Sequence, residues 1–259
     1  MTADLEFATQ LARKAGELLL DSFSLSGTHT SQKKDRSVVT KADMDADLLI
    51  SEAIRKQFPA DGVLSEELNT IYPSGKKAVW VVDPLDGTTN YSLGLPIWGI
   101  SIARLVDGWP DIAVVYFPQL GETYSARKGA GAFLNNRQLY SNSLDRRQTT
   151  TFFACCSRTH RRYDVQVPYK PRILGSAAYN LCSVARGIAI LAFEAVPKIW
   201  DLAGGWLVAS EAGAVLQTLD RTEPFPPAPG KDYSEISFPT IAAPDPEHLS
   251  KAREQIKPR

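Results

Sequence analysis

Several common chemistries are ruled out by what this sequence has little of. It holds only three cysteines, two of them adjacent (Cys155 and Cys156), which make no disulfide framework and offer no paired spacing for zinc. Its three histidines, His29, His160 and His248, are scattered, so a histidine-built metal centre is not expected. There is no charge excess: Lys plus Arg and Asp plus Glu number 29 each, whereas a general nucleic-acid binder carries a basic surplus. The longest apolar run, GIAILAFEAV (187–196), is broken by Glu194 and is too short to span a bilayer. The start, MTADLEFATQLARKAGELLL, carries acids early and lacks the basic-then-apolar pattern of a leader. Together these absences lead us to expect a soluble, cytoplasmic protein with neither a nucleic-acid nor a membrane partner.

What is present is an ordinary globular endowment of 259 residues, 44% of them hydrophobic, enough for one large domain or two smaller ones. Residues 4–23 and 42–58 repeat apolar side chains at helical spacing, the second stretch ending before Pro59. The polar segment between them, SGTHTSQKKDRS, reads as a loop or exposed hairpin. Short strand-like runs at 97–106, 111–117, 123–126 and 131–134, separated by turn residues such as Asp107-Gly108, predict an antiparallel meander. Beyond SNSLDRRQTT (141–150), helical and strand-like stretches alternate: 177–187, 188–194, 202–212, 214–219, 239–243 and 245–256. That alternation predicts an α/β layer. The proline-rich stretch 222–235 reads as a long surface loop. The expected architecture is two abutting α/β lobes, 1–141 and 142–259, with the acidic site between them.

The most informative stretch is WVVDPLDGTTNY (80–91). Trp80, Val81 and Val82 end a buried strand, and Asp83 and Asp86 follow, with Pro84 and Leu85 between and Gly87, Thr88 and Thr89 after. Carboxylate oxygens suit Mg²⁺ or Mn²⁺. Backbone N–H groups where a helix begins suit a phosphate. The same residues would also make a plain solvent turn. Further acids stand at element edges. Glu66 and Glu67 close GVLSEE (62–67), Asp43 sits in the first turn of the second helix behind the capping candidate Thr40, and Asp201 opens a helix after Trp200.

In this order, VVTKAD (38–43), GVLSEE, WVVDPLDGTTNY and WDLAGGWLVASEAGA (200–214) resemble the inositol monophosphatase family of Mg²⁺-dependent, lithium-sensitive phosphatases. The similarity takes in LARKAGELLL (11–20) and YSARKGAGAFLN (124–135), and so spans nearly the whole chain. It implies a layered αβαβα sandwich of the sugar-phosphatase type, a homodimer, and two or three Mg²⁺ ions per site. Glu66, Asp83 and the Leu85 carbonyl would surround the first metal. Asp83, Asp86 and Asp201 would hold the second, and Glu66 with water a looser third. Asp43 would hydrogen-bond Thr88, whose hydroxyl orients the attacking water. Gly87, Thr88 and Thr89 would receive the phosphate. Gly175, Ser176 and Ala177 would contact the substrate, with Asp86 beside them and Glu194 on a substrate hydroxyl.

The chemistry is coherent. Phosphate monoesters hydrolyse extremely slowly unaided, and metals about 4 Å apart neutralise the phosphate, acidify a water and stabilise the leaving alkoxide. The resemblance implies hydrolysis of a myo-inositol monophosphate. Relatives on this scaffold take fructose 1,6-bisphosphate, histidinol phosphate or 3′-phosphoadenosine 5′-phosphate instead. A non-catalytic relative would lack one of Glu66, Asp83, Asp86, Thr88 or Asp201, and all are present. Many members carry an aspartate where this chain has Ile190, a departure that bears on the substrate and not on the metals. Cys155, Cys156 and Trp200 are expected to pack. Lys33, Lys34 and Arg36 form a basic loop that is either solvated or closes over the site, and Arg172 and Lys198 are further cations near the substrate segment.

Overall fold

A computed structural model describes the chain except for residues 1, 25–26, 28–30, 33–37, 143–150 and 221. The basic loop Lys33–Arg36, His29 and most of the 141–150 segment therefore lie outside the described residues. In chain order, α1 (Ala3–Ser22) leads to a two-stranded antiparallel pair, β1 (Ser31–Gln32) and β2 (Val38–Val39), then to α2 (Lys41–Gln57), β3 (Gly62–Ser65) and β4 (Ala78–Asp86). The short α3 (Thr88–Ser92) precedes β5 (Gly99–Val106), β6 (Trp109–Phe117), β7 (Glu122–Arg127), β8 (Gly131–Leu134) and β9 (Arg137–Gln138). There follow β10 (Phe152–Cys155), α4 (Thr159–Arg162), β11 (Tyr163–Val165), β12 (Pro171–Arg172), α5 (Ala177–Ala185), β13 (Ala189–Glu194) and α6 (Ile199–Glu211). The chain closes with β14 (Val215–Thr218), β15 (Thr240–Ala243), α7 (Pro246–Gln255) and β16 (Ile256–Pro258).

Five layers result. Strands β3 to β9 form one sheet in sequence order, antiparallel except for the parallel β3–β4 pair, as the meander of sequence runs predicted. One face of it takes α1 and α2: Leu11, Ala15, Leu19, Ile50 and Ile54 meet Trp80, Val82, Ile100 and Ile102. The other face, through Val79, Val81, Ala103 and Val115, meets α5 and α6. Those helices press in turn on a five-stranded mixed sheet of order β12-β10-β13-β15-β14, whose far side carries α7. This is the αβαβα sandwich expected. Each large apolar side chain buried in these layers contributes about 1.5–3 kcal/mol.

Two departures from the sequence reading have simple causes. Strand β10 was not anticipated; its four apolar residues show no alternation because the sheet is covered on both faces. The proline-rich stretch 222–235 is more than a surface loop. Phe225 and Tyr233 are buried in the central core, and Tyr233 N–H donates to Thr70 O at 2.9 Å, tying the stretch to the segment after β3.

Candidate active site

All nine residues of β4 are buried, including its two aspartates. Val79 and Val81 face α5 and α6 while Trp80 and Val82 face α1 and α2, so Asp83 continues toward α5 and α6. Residues three apart on a regular strand would face opposite sides. Here Asp83 pairs with Ser101 and Asp86 with Gly99, so β4 holds one extra residue between them. That bulge returns Asp86 to the side of Asp83 and turns Leu85 into the α1/α2 core, leaving only its backbone near the site. The Leu85 N–H donates to Asp83 Oδ1 at 3.0 Å.

Glu66, Asp83 and Asp201 each offer a carboxylate oxygen, and these oxygens lie within 4.8 Å of one another. Among the described residues no other group of acids, cysteines or histidines converges in this way. Glu66 stands in the turn after β3, its N–H donating to Val82 O at 3.2 Å. Asp201 is in the first turn of α6, accepting the Lys198 N–H at 2.7 Å. Burial, then repulsion from Glu66 and Asp86, holds the Asp83 and Asp201 carboxyls well above the usual carboxylate range. A site that penalises its own negative charge this way, with oxygen donors only, fits a hard divalent cation.

Asp86, expected among the metal ligands, is not in that group of three. It is held by the N-terminus of α5: Ser176 Oγ donates to Oδ2, Ala178 N–H to Oδ2 at 3.0 Å, and Ala177 N–H to Oδ1 at 3.1 Å. Burial pushes its carboxyl up to about 6 against these lowering bonds. Ser176 and Ala177, expected on the substrate, thus meet Asp86, and Ser176 also caps α5 by accepting from Tyr179 N–H at 3.0 Å.

Asp43 and Thr88 meet as expected, Thr88 Oγ1 lying 3.1 Å from Asp43 Oδ1 and 3.0 Å from Leu85 O. The other oxygen of Asp43 closes a capping box, accepting the Thr40 N–H at 2.8 Å. Burial raises the Asp43 carboxyl above its ordinary value. Gly87 adopts φ +92°, and a Cβ there would lie 3.0 Å from Ile97 O, so glycine is required where the chain turns into α3. Thr88 and Thr89 are the first two residues of that helix.

Glu194, at the end of β13, is 3% exposed, accepts from Asn180 Nδ2 at 2.5 Å, and is pushed by burial to about 8. Two asparagines were missed. Asn180 gave no sequence signal, being one polar residue in the apolar helix α5. Asn90 lay inside the motif itself; its Nδ2 donates to Ile97 O at 2.6 Å and Leu174 O at 2.7 Å, joining β4's motif to the segment before α5. Among the remaining candidates, Trp200 packs in the core, and Lys198 Nζ donates to Ser234 O. Arg172 is exposed with its guanidinium on Pro171 O. Ile190 lines a small hollow with Tyr169, His248 and Lys251 of the α7 side. Cys155 and Cys182 are buried and all three thiols are free, burial raising each.

The inositol monophosphatase family model matches residues 1–256. A histidinol-phosphatase of Chlorobaculum parvum is 34% identical over 224 residues, covering 82% of this chain and 85% of that protein. The Nus factor SuhB of Escherichia coli is 34% identical over 223 residues, covering 82% and 84%. Among solved structures, the IMPase of Thermotoga maritima superposes with a TM-score of 0.79 at 27% identity, covering 98% of this chain and 97% of that one. The layered fold, the convergent acids and these likenesses agree: the chain belongs to the inositol monophosphatase family.

Proposed function

We propose that this chain is a divalent-cation-dependent phosphatase that hydrolyses a small phosphate monoester by direct attack of water, its substrate a myo-inositol monophosphate. The observation that carries the reading is the convergence of Glu66, Asp83 and Asp201, from three separate elements, onto oxygens within 4.8 Å of one another. Glu66, Asp83, Asp86, Asp201 and the Leu85 carbonyl would hold two or three Mg²⁺ or Mn²⁺ ions. Bound there, the cations supply charge neutralisation and a more acidic water.

The chain's own groups supply the rest. Thr88 gives its single proton to Asp43 or to Leu85 O, which leaves its oxygen lone pairs free to accept from the attacking water and set its direction. Asp43 then carries the proton relayed through that hydroxyl. The N–H groups at Gly87, Thr88 and Thr89, which a helix start leaves without intrahelical acceptors, receive the phosphate oxygens. Gly175, Ser176 and Ala177 border the alcohol side. Glu194, kept neutral by burial and held by Asn180, offers both a donor and an acceptor to a polyol hydroxyl. The protein is proposed to act as a homodimer.

Histidinol phosphate is the second reading, favoured by the Chlorobaculum parvum relative. Phosphate release from inositol 1-phosphate, histidinol phosphate, fructose 1,6-bisphosphate and 3′-phosphoadenosine 5′-phosphate at fixed Mg²⁺ separates the two. The highest kcat/KM is expected for inositol 1-phosphate. A preference for histidinol phosphate replaces the substrate and keeps the mechanism. No release from any ester favours a non-catalytic role, in line with the relatives named as Nus factors.

A further inference from the structure

Helix α2 carries three buried polar side chains at one-turn intervals, Asp43, Asp47 and Ser51, none more than 1% exposed. Residues four apart stack on one face of a helix. Asp43 faces Thr88, but Asp47 faces a different segment. Its Oδ2 accepts the backbone N–H of Glu67 at 3.0 Å and of Leu68 at 3.3 Å, and its Oδ1 accepts from Ser51 Oγ at 2.8 Å. The turn Glu66–Leu68 is closed at its base by the Ser65 N–H, which donates to Asn69 O at 2.8 Å. All three N–H groups within the turn are accounted for: that of Glu66 on Val82 O at 3.2 Å, the other two on Asp47. A carboxylate buried this deeply is tolerated only with such partners. An apolar residue would serve the packing of α2 as well, and it would leave the turn's two N–H groups without an acceptor.

We infer that Asp47 is a positioning residue for the metal centre: it fixes the Glu66–Leu68 turn so that Glu66 meets Asp83 and Asp201 without rearrangement. The inference rests on the reading of Glu66 as a metal ligand. One helix then sets both parts of the site, Asp43 the hydroxyl that aims the water and Asp47 the turn that presents a ligand. Partners that orient metal ligands are typically worth 10- to 100-fold in metal affinity.

The test is Mn²⁺ binding to the full-length protein without substrate, read from the electron paramagnetic resonance signal of the free ion. Asp47→Ala leaves the Glu67 and Leu68 N–H groups without their acceptor and is expected to weaken binding by about 10- to 100-fold. With metal saturating, its KM for the ester should stay near wild type, because the turn does not touch substrate. Ser51→Ala removes a buried hydrogen bond from the same helix and leaves the turn bonded. It is expected to lower Tm yet keep Mn²⁺ affinity within about twofold, which separates positioning from stability. Asp47→Glu keeps the buried anion but displaces it by one methylene; it is expected to weaken affinity less than Asp47→Ala and more than Ser51→Ala, and it decides the matter if Asp47→Ala does not fold. Wild-type affinity in the Asp47 variants, beside a weakened Glu66→Gln, overturns the inference. Wild-type affinity in Glu66→Gln overturns the ligand reading on which it stands.

Discussion

Thr88 has one hydroxyl proton and two acceptors within reach, Asp43 Oδ1 and Leu85 O, so its oxygen is oriented before any substrate arrives. Thr88→Ala is therefore expected to lower kcat by about 10²- to 10⁴-fold while Mn²⁺ affinity holds, and Thr88→Ser to retain most of the rate. Steady-state kinetics beside the metal titration check both. Glu194 makes a separate prediction about pH. Burial raises it from the ordinary glutamate value of 4.5 to about 8, so the folded state favours the protonated form. Its contribution is complete below 4.5 and is lost as pH rises toward 8, at up to about 1.4 kcal/mol per pH unit. Thermal unfolding of the metal-free protein should thus show Tm falling between pH 5 and 8, and Glu194→Gln should flatten that slope. The site's residues differed in how far the sequence exposed them. Asp43, Glu66, Asp83 and Asp201 stood at element edges beside turn signals. Asp47 did not: it lies inside the periodic stretch 42–58 with no turn signal beside it, and the turn it bonds lies 20 residues further along the chain.

At the scale of elements, most of the fold could be read from periodicity. The stretches 4–23 and 42–58 became α1 and α2 within a residue, and 188–194 and 202–212 became β13 and α6. What periodicity could not reveal was the bulge in β4, since it depends on how β5 pairs with it. Nor could it show that Asp86 turns its carboxylate onto the first turn of α5. The join between β4's motif and α5 predicts a sensitive glycine. Gly175 has φ +80°, and a Cβ there would come 2.7 Å from the Asn90 amide, which is itself fixed on two carbonyls. Gly175→Ala is expected to destabilise by about 1–2 kcal/mol from backbone conformation alone, with a further loss from displacing Asn90. For a chain of this size that lowers Tm by roughly 2–8 °C, measurable by calorimetry.

Across the whole molecule, the acids brought together by β4, α6 and the turn after β3 oppose folding unless a cation compensates them, which makes stability and metal binding one question. Mg²⁺ at about 100 times its dissociation constant should stabilise the native state by about 2.7 kcal/mol and raise Tm by about 5–10 °C. EDTA should reverse the shift. No helix among the described residues is long and apolar enough to cross a membrane, consistent with the short, interrupted apolar runs of the sequence. Substrate choice was the least legible property: Ile190, which drew notice in the sequence, lies on the α7 side, while Asn180, which did not, bonds Glu194. Asp83 and its neighbours are proposed to hold the cations that drive phosphate-ester hydrolysis. Phosphate release from inositol 1-phosphate, measured with Mg²⁺ and with EDTA for the wild type and Asp83→Asn, tests it most directly. Release is expected to need Mg²⁺, to stop in EDTA, and to fall at least ~100-fold in the variant. Release that persists through both EDTA and the substitution would contradict it.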